Sequence, residues 1–140
     1  MSTLSGTVIG MDFGTSKIGI AVGQTITQTS RPLLTIKSKK GKPNWAELDQ
    51  IIKEWQPVAL VVGRPVHMDG TEQEMTEKAD KFARQLEQHY RLPLFQIDER
   101  LSSHEAESLL DEAYGKQHYA REEVDKLAAS LILQTWLQQQ

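Results

Sequence analysis

The chain has 140 residues, with 16 Lys and Arg against 19 Asp and Glu for a formal net charge of −3, and it contains no cysteine. That length predicts a single domain over 1–140 and excludes a two-lobed enzyme, while the missing sulfur excludes a disulfide scaffold, a zinc–thiolate site and a cysteine nucleophile. The longest apolar run, 58–62, is far too short to span a bilayer, and the first six residues lack a signal-peptide pattern, so a cytoplasmic, membrane-free protein is expected.

In chain order, residues 8–11 and 18–22 read as two strands joined by a short Gly-containing turn at 13–16, just behind Asp12. A third strand is predicted over 32–37. Asn44 with Glu47 three residues on looks like a helix start, and Trp45, Leu48, Ile51, Ile52 and Trp55 recur behind it at helical spacing. Pro57 closes that helix. Residues 58–62 are apolar at every position, as in a strand covered on both faces. A second helix is predicted from about 72 to 90, with Met75, Ala79, Phe82, Ala83, Leu86 and Tyr90 on one stripe. A strand over 93–97 then ends at Asp98, Glu99 and Arg100. Ser102 with Glu105 is a capping-box pattern for a third helix carrying Ala106, Leu109, Leu110 and Ala113, stopped by Gly115. The last helix starts near Glu122 and carries Leu127, Ala128, Leu131, Ile132 and Thr135. The order β-β-β-α-β-α-β-α-α predicts an α/β fold: a mixed five-stranded sheet, with a three-strand meander followed by two βα crossovers and helices on both faces.

Acidic residues fall where ligands bind in such sheets, outside the carboxyl ends of strands. Asp12 ends the first strand, Asp98 and Glu99 end the last, and Asp125 lies in the first turn of the last helix. Each also has an ordinary structural use: turn former, solvated loop charge, or partner of a helix dipole. Asp98 and Glu99 are neighbours, so at most one faces Asp12 if the strand persists. Parity does not choose between them, because both faces are covered.

Six segments occur in order: Asp12-Phe13-Gly14-Thr15, Gly19-Ile20-Ala21-Val22, Val62-Gly63-Arg64-Pro65, Asp69-Gly70-Thr71, Asp98-Glu99-Arg100-Leu101-Ser102 and Val124-Asp125-Lys126-Leu127-Ala128-Ala129. Together they resemble the YqgF family of small bacterial proteins, described as Holliday junction resolvases or pre-16S rRNA nucleases, over about residues 6–133. The resemblance implies a ribonuclease H-like fold, with Asp12, Glu99 and Asp125 as the acidic active-site residues and Asp98 as a further metal ligand. Three positions depart from the family pattern: Arg64 replaces an apolar residue, His67 an asparagine, and Lys126 a small residue. Lys126 puts a cation beside Asp125.

Gathered carboxylates repel one another and call for a hard cation. Mg²⁺ or Mn²⁺ suits oxygen donors, and two ions can hold the attacking water and the leaving oxygen of a phosphodiester. His67, His89, His104 and His118 show no ligand spacing and read as surface residues. Phosphate contacts are expected from cations near the acids, with Lys17, Arg31 and Arg100 the candidates; Arg100 could instead pair with its acidic neighbours. Residues 31–42 hold Arg31, Lys37, Lys39, Lys40 and Lys42 with no acid, either a phosphate-tracking patch or a solvated loop. Trp45 and Trp55 fit core packing better than base stacking. The expected partner is nucleic acid, precursor 16S rRNA before branched DNA, with the ribosome a further candidate and the protein a monomer or weak homodimer. Two readings compete. An actin-like ATPase shares the Asp-Phe-Gly-Thr turn but needs two such domains; a non-catalytic RNA- or partner-binding module would keep the acids as relics.

Overall fold

The two N-terminal strands form as their alternation predicts: β1 (Thr7–Asp12) and β2 (Lys17–Gln24) pair antiparallel, with Asp12 opposite Gly19. The computed structural model describes residues 4–101 and 121–140. The third strand, β3 (Thr29–Lys39), is longer than the 32–37 expected, because the chain stays extended on both sides of Pro32. Leu33 is an extra residue there: the register jumps from Ile20 opposite Leu34 to Ala21 opposite Pro32. Among the described residues, the outer edge of β3 is covered only at Ser38 and Lys39, so Pro32 breaks none of those ladder bonds. The cover is a two-residue strand, β4 (Lys42–Pro43), which makes the sheet six-stranded rather than five-stranded.

Helix α1 (Trp45–Trp55) begins at Asn44, whose side chain accepts from the Glu47 amide at 3.3 Å and donates to the Glu47 carboxylate at 3.1 Å. Gln56, in the left-handed region at φ 45°, ends it before Pro57. Strand β5 (Ala59–Arg64) then enters parallel to β1. Helix α2 (Glu74–Tyr90) starts two residues later than expected, and its Thr76 hydroxyl accepts from the Gln73 amide and donates to the Pro65 carbonyl. Strand β6 (Leu94–Asp98) lies parallel to β5 and runs into a 3-10 turn (Glu99–Leu101). Helix α3 (Arg121–Gln138) is the last element. The expected helix capped by Ser102 and Glu105 lies outside the described residues.

The spatial order is β4-β3-β2-β1-β5-β6. Alternation sorts the buried side chains onto two faces. Ile9, Met11, Ile20, Leu60 and Val62 meet α1 and α2 through Leu48, Ile51, Phe82 and Leu86. Val8, Ala21, Ala59, Val61 and Ile97 meet α3 through Ala129, Ile132, Leu133, Trp136 and Leu137. On that second side α3 lies unusually close to the sheet. A methyl group at Gly10 would fall 2.7 Å from Leu133 Cβ and 3.2 Å from the Ala129 carbonyl oxygen. Among the described residues, no helix is long and apolar enough to cross a membrane.

Candidate active site

Three elements bring the acids together at one end of the sheet, on the α3 face. Asp12 is the last residue of β1 and shares the parity of Val8 and Gly10, which face α3. Its cross-strand partner is Gly19, where a Cβ would fall 2.0 Å from the Asp125 carbonyl oxygen. The missing side chain at Gly19 therefore lets the first turns of α3 rest on β2, beside Asp12. Glu99 follows β6 in the parity of Phe95 and Ile97, which also pack toward α3. Its Cγ would lie 3.4 Å from a Cβ at Gly63, so its chain leans across the end of β5.

Asp12 is where the arrangement shows its electrostatics. Burial, a hydrogen bond with Glu99, and the negative charges of Glu99 and Asp125 hold the Asp12 carboxyl well above the usual carboxylate range. Acidic groups this close repel one another, so the site around Asp12 favours a positive charge. Among the described residues, no three His, Cys, Asp or Glu side chains stand at ligating distance around a single point. That does not conflict with a hard divalent ion, which takes one or two carboxylates and fills its remaining positions with water and phosphate oxygen. The donors are all oxygens, and a cation would relieve the repulsion that raises Asp12. The residues present fit Mg²⁺ or Mn²⁺.

Asp98, the adjacent carboxylate, points the other way. It shares the α1/α2 face with Leu94 and Gln96 and accepts from Arg100 Nη2 at 2.5 Å, from Arg100 Nε at 2.8 Å, and from the Arg100 amide at 2.9 Å. These bonds hold its carboxyl below the usual range. Arg100 also donates to the Met68 carbonyl at 3.0 Å, so it serves its acidic neighbour and the 66–72 loop. Arg64 stands opposite Asp98 across the strands and donates to Asp80 on α2 at 3.1 Å and to Glu72 at 2.7 Å. The residue that departs from the family pattern thus ties β5 to α2.

Lys17 begins β2 at the same sheet end as Asp12, and its parity with Gly19 puts it on the same face. Arg31 is not brought to the acids. It pairs with Val22 in the row of Ile9, three residues behind Asp12, and its guanidinium lies 5.3 Å over the Trp55 ring. Trp45 packs against the core edge and stacks on the exposed His89 at 4.3 Å. Sequence reasoning missed the part played by Gly19, whose only signal was a glycine in a strand, a mark of close backbone approach. Lys78 and Lys81 on α2 were missed as well, although their i, i+3 spacing already put them on one helix face.

A mixed sheet in this strand order, with helices on both faces, is a ribonuclease H-like fold. Solved structures share it: Thermus thermophilus RuvC in complex with a Holliday junction substrate superposes with a TM-score of 0.56 at 15% identity, covering 94% of this chain and 92% of that one. The fowlpox virus resolvase with its substrate junction DNA gives 0.57 at 11%, covering 95% and 97%. Residues 6–139 match the family described as RuvX, Holliday junction resolvase, and the chain belongs to that family. Relatives bearing the name "Putative pre-16S rRNA nuclease" include one from Saccharophagus degradans, 46% identical over 135 residues with 96% of this chain and 95% of the relative covered. Another, from Shewanella oneidensis, is 47% identical over 132 residues, covering 94% of each chain.

Proposed function

We propose that this chain is a metal-dependent nuclease, one ribonuclease H-like domain over 1–140, that hydrolyses phosphodiester bonds in precursor 16S rRNA on the way to the mature 5′ end. The observation that carries the reading is the buried Asp12 carboxyl, hydrogen-bonded to Glu99 and within reach of the charge of Asp125. The names of its relatives supply the substrate. Such a protein works in the cytoplasm and meets the ribosome, as a monomer or weak homodimer.

Mg²⁺ or Mn²⁺ would be held by Asp12, Glu99 and Asp125; when bound, two such ions supply a water of lowered proton affinity and neutralise charge on the leaving oxygen. The chain's own residues do the rest. Asp12 and Glu99 present carboxylate oxygens to the ion. Gly19 lets Asp125 sit beside them, and Lys17 adds positive charge at the same end of the sheet. Asp98 is left out of the ligand set, because its oxygens are engaged by Arg100.

The test uses purified wild type and Asp12→Asn with Mg²⁺ and with Mn²⁺, on a precursor 16S rRNA fragment and a four-way DNA junction side by side. Wild type should cut the RNA, and Asp12→Asn should be slower by about 100-fold or more. Equal cutting by both proteins would remove Asp12 from catalysis. Cutting of the junction alone would transfer the chain to junction resolution, the activity in its family's description. Binding without cutting in either metal would leave a non-catalytic module. The metal-free variant should also be the more stable protein at neutral pH. A folded-state proton affinity above the unfolded one contributes stability below pH ~4, and that contribution is lost as pH rises through the folded value.

A further inference from the structure

Four lysines surround one cavity on the α1/α2 face, beside the loop that follows Asp12, and two of them, Lys78 and Lys81, lie outside the basic run at 31–42. The cavity, about 190 Å³, is lined by Phe13, Lys40, Gly41, Lys42, Lys78, Lys81, Phe82 and Gln85. Two distant stretches build it. The β3–β4 hairpin turns through Lys40 and Gly41, both at positive φ (52° and 82°), the geometry that matches a two-residue hairpin to strand twist. The hairpin is tied to the loop behind Asp12: Gly41 N–H donates to the Thr15 carbonyl at 3.1 Å, and Ser38 N–H donates to Ser16 at 2.8 Å. Opposite, Lys78 and Lys81 project from one side of α2.

The floor is apolar. Phe13, the residue after Asp12, packs on Phe82 with ring centroids 4.8 Å apart, and both rings are buried. Among the described residues, no carboxylate lines the cavity. Among the described residues Lys78 is ion-paired, with Glu74 at 3.4 Å, while Lys40, Lys42 and Lys81 are exposed and have no acidic partner. In a chain of net charge −3 this is a local reversal of sign. Like charges around a low-dielectric wall repel, and the same arrangement focuses a positive field on an incoming anion. Lysine ammonium groups on flexible stems suit phosphate as point charges, without base readout.

We infer that the lysine-lined cavity between the β3–β4 turn and α2 binds backbone phosphates of the RNA strand beside the bond to be cut, a contact made with phosphate rather than base. The inference rests on the nuclease reading and gives that substrate its path: past the 13–16 loop, from the lysines to the carboxylates. It also resolves the basic run at 31–42. Lys40 and Lys42 join the substrate path, whereas Arg31 stays on Trp55.

The test measures binding of a fluorescein-labelled single-stranded RNA of about 20 nucleotides by anisotropy across a NaCl series, in EDTA, so that cleavage does not interfere. Each phosphate contact on a single strand contributes about 0.7 to the slope of log affinity against log salt. Replacing Lys40, Lys42 and Lys81 together by Gln should make the slope shallower by about 2 and weaken binding in 0.1 M NaCl by at least about tenfold. Lys53→Gln removes one charge from the last turn of α1, outside the cavity, and should leave both nearly unchanged. A triple variant that keeps the wild-type slope, or a loss per charge equal to that of Lys53→Gln, overturns the inference. If wild type then still cuts RNA, the nuclease reading stands without it. A wild type that neither binds nor cuts RNA takes both down.

Discussion

Carboxylates stand on both faces of the sheet at the same end, and their chemistry is opposite. On the α3 face Asp12 is pushed up by burial, by its hydrogen bond with Glu99 and by the nearby charge of Asp125. On the α1/α2 face Asp98 is pulled down by Arg100 and Asp80 by Arg64, each through charge-assisted hydrogen bonds. Distance along the chain does not separate the classes, for Asp98 and Glu99 are adjacent. What separates them is the pleat, which sends neighbours to different helices, and the presence of a guanidinium on one side. On the α1/α2 face these two acids already have their cation. The other face holds acidity that a cation would satisfy.

The comparison breaks most completely if the two helices do not sit as described. Gly19→Ala puts a methyl group 2.0 Å from the Asp125 carbonyl oxygen, and main chain cannot move aside as a flexible side chain can. A loss of about 3 kcal/mol in urea unfolding is expected, together with reduced cleavage. Unchanged stability would mean that α3 does not rest on β2.

Next in size is the contrast between neighbours. Glu99→Gln should lower the cleavage rate by about 100-fold, roughly 2.7 kcal/mol of barrier, whereas Asp98→Asn should change it by no more than a few-fold. Equal losses would mean that both acids serve the reaction and that the faces are not distinct.

The smallest effect concerns the paired acids of the α1/α2 face. Arg64→Gln removes the guanidinium that holds Asp80, a pair whose side chains are 33% and 24% exposed, so about 1 kcal/mol is expected after solvent screening. Its pH signature has a definite sign. The folded Asp80 carboxyl lies below its unfolded value, so its contribution is present above pH ~4 and is lost as pH falls through the folded value. The variant should therefore show a flatter acid limb in unfolding titrations. A limb as steep as that of wild type would mean that Asp80 owes its shift to other groups.

Much of the fold was legible because its signals are local. Asn44 and Glu47 mark the start of α1 by a hydrogen bond within one turn, and the all-apolar run behind Pro57 announces a strand with helices on both sides. The sixth strand was not legible, since two residues carry no alternation; it exists because the Lys40-Gly41 turn folds Lys42 and Pro43 back onto β3. The acidic positions could be named, but strand parity did not choose between Asp98 and Glu99; only the family resemblance favoured Glu99. Both faces of β6 are covered, so the pattern is apolar on either parity, and only the partners of Ile97 and Gln96 reveal which side is which. Gly19 was hidden for a related reason. Its contact, Asp125, lies over a hundred residues away, beyond the reach of any spacing rule.

That separation has a consequence for how the protein comes into being. A chain emerging during synthesis presents Asp12 first, then Glu99, and must wait for the stretch that carries Asp125 before α3 can close over Gly10 and Gly19. Long-range closure of this kind is slow, and domains complete it as units. A nascent copy therefore carries Asp12 and Glu99 before it holds the stretch that sets Asp125 beside them.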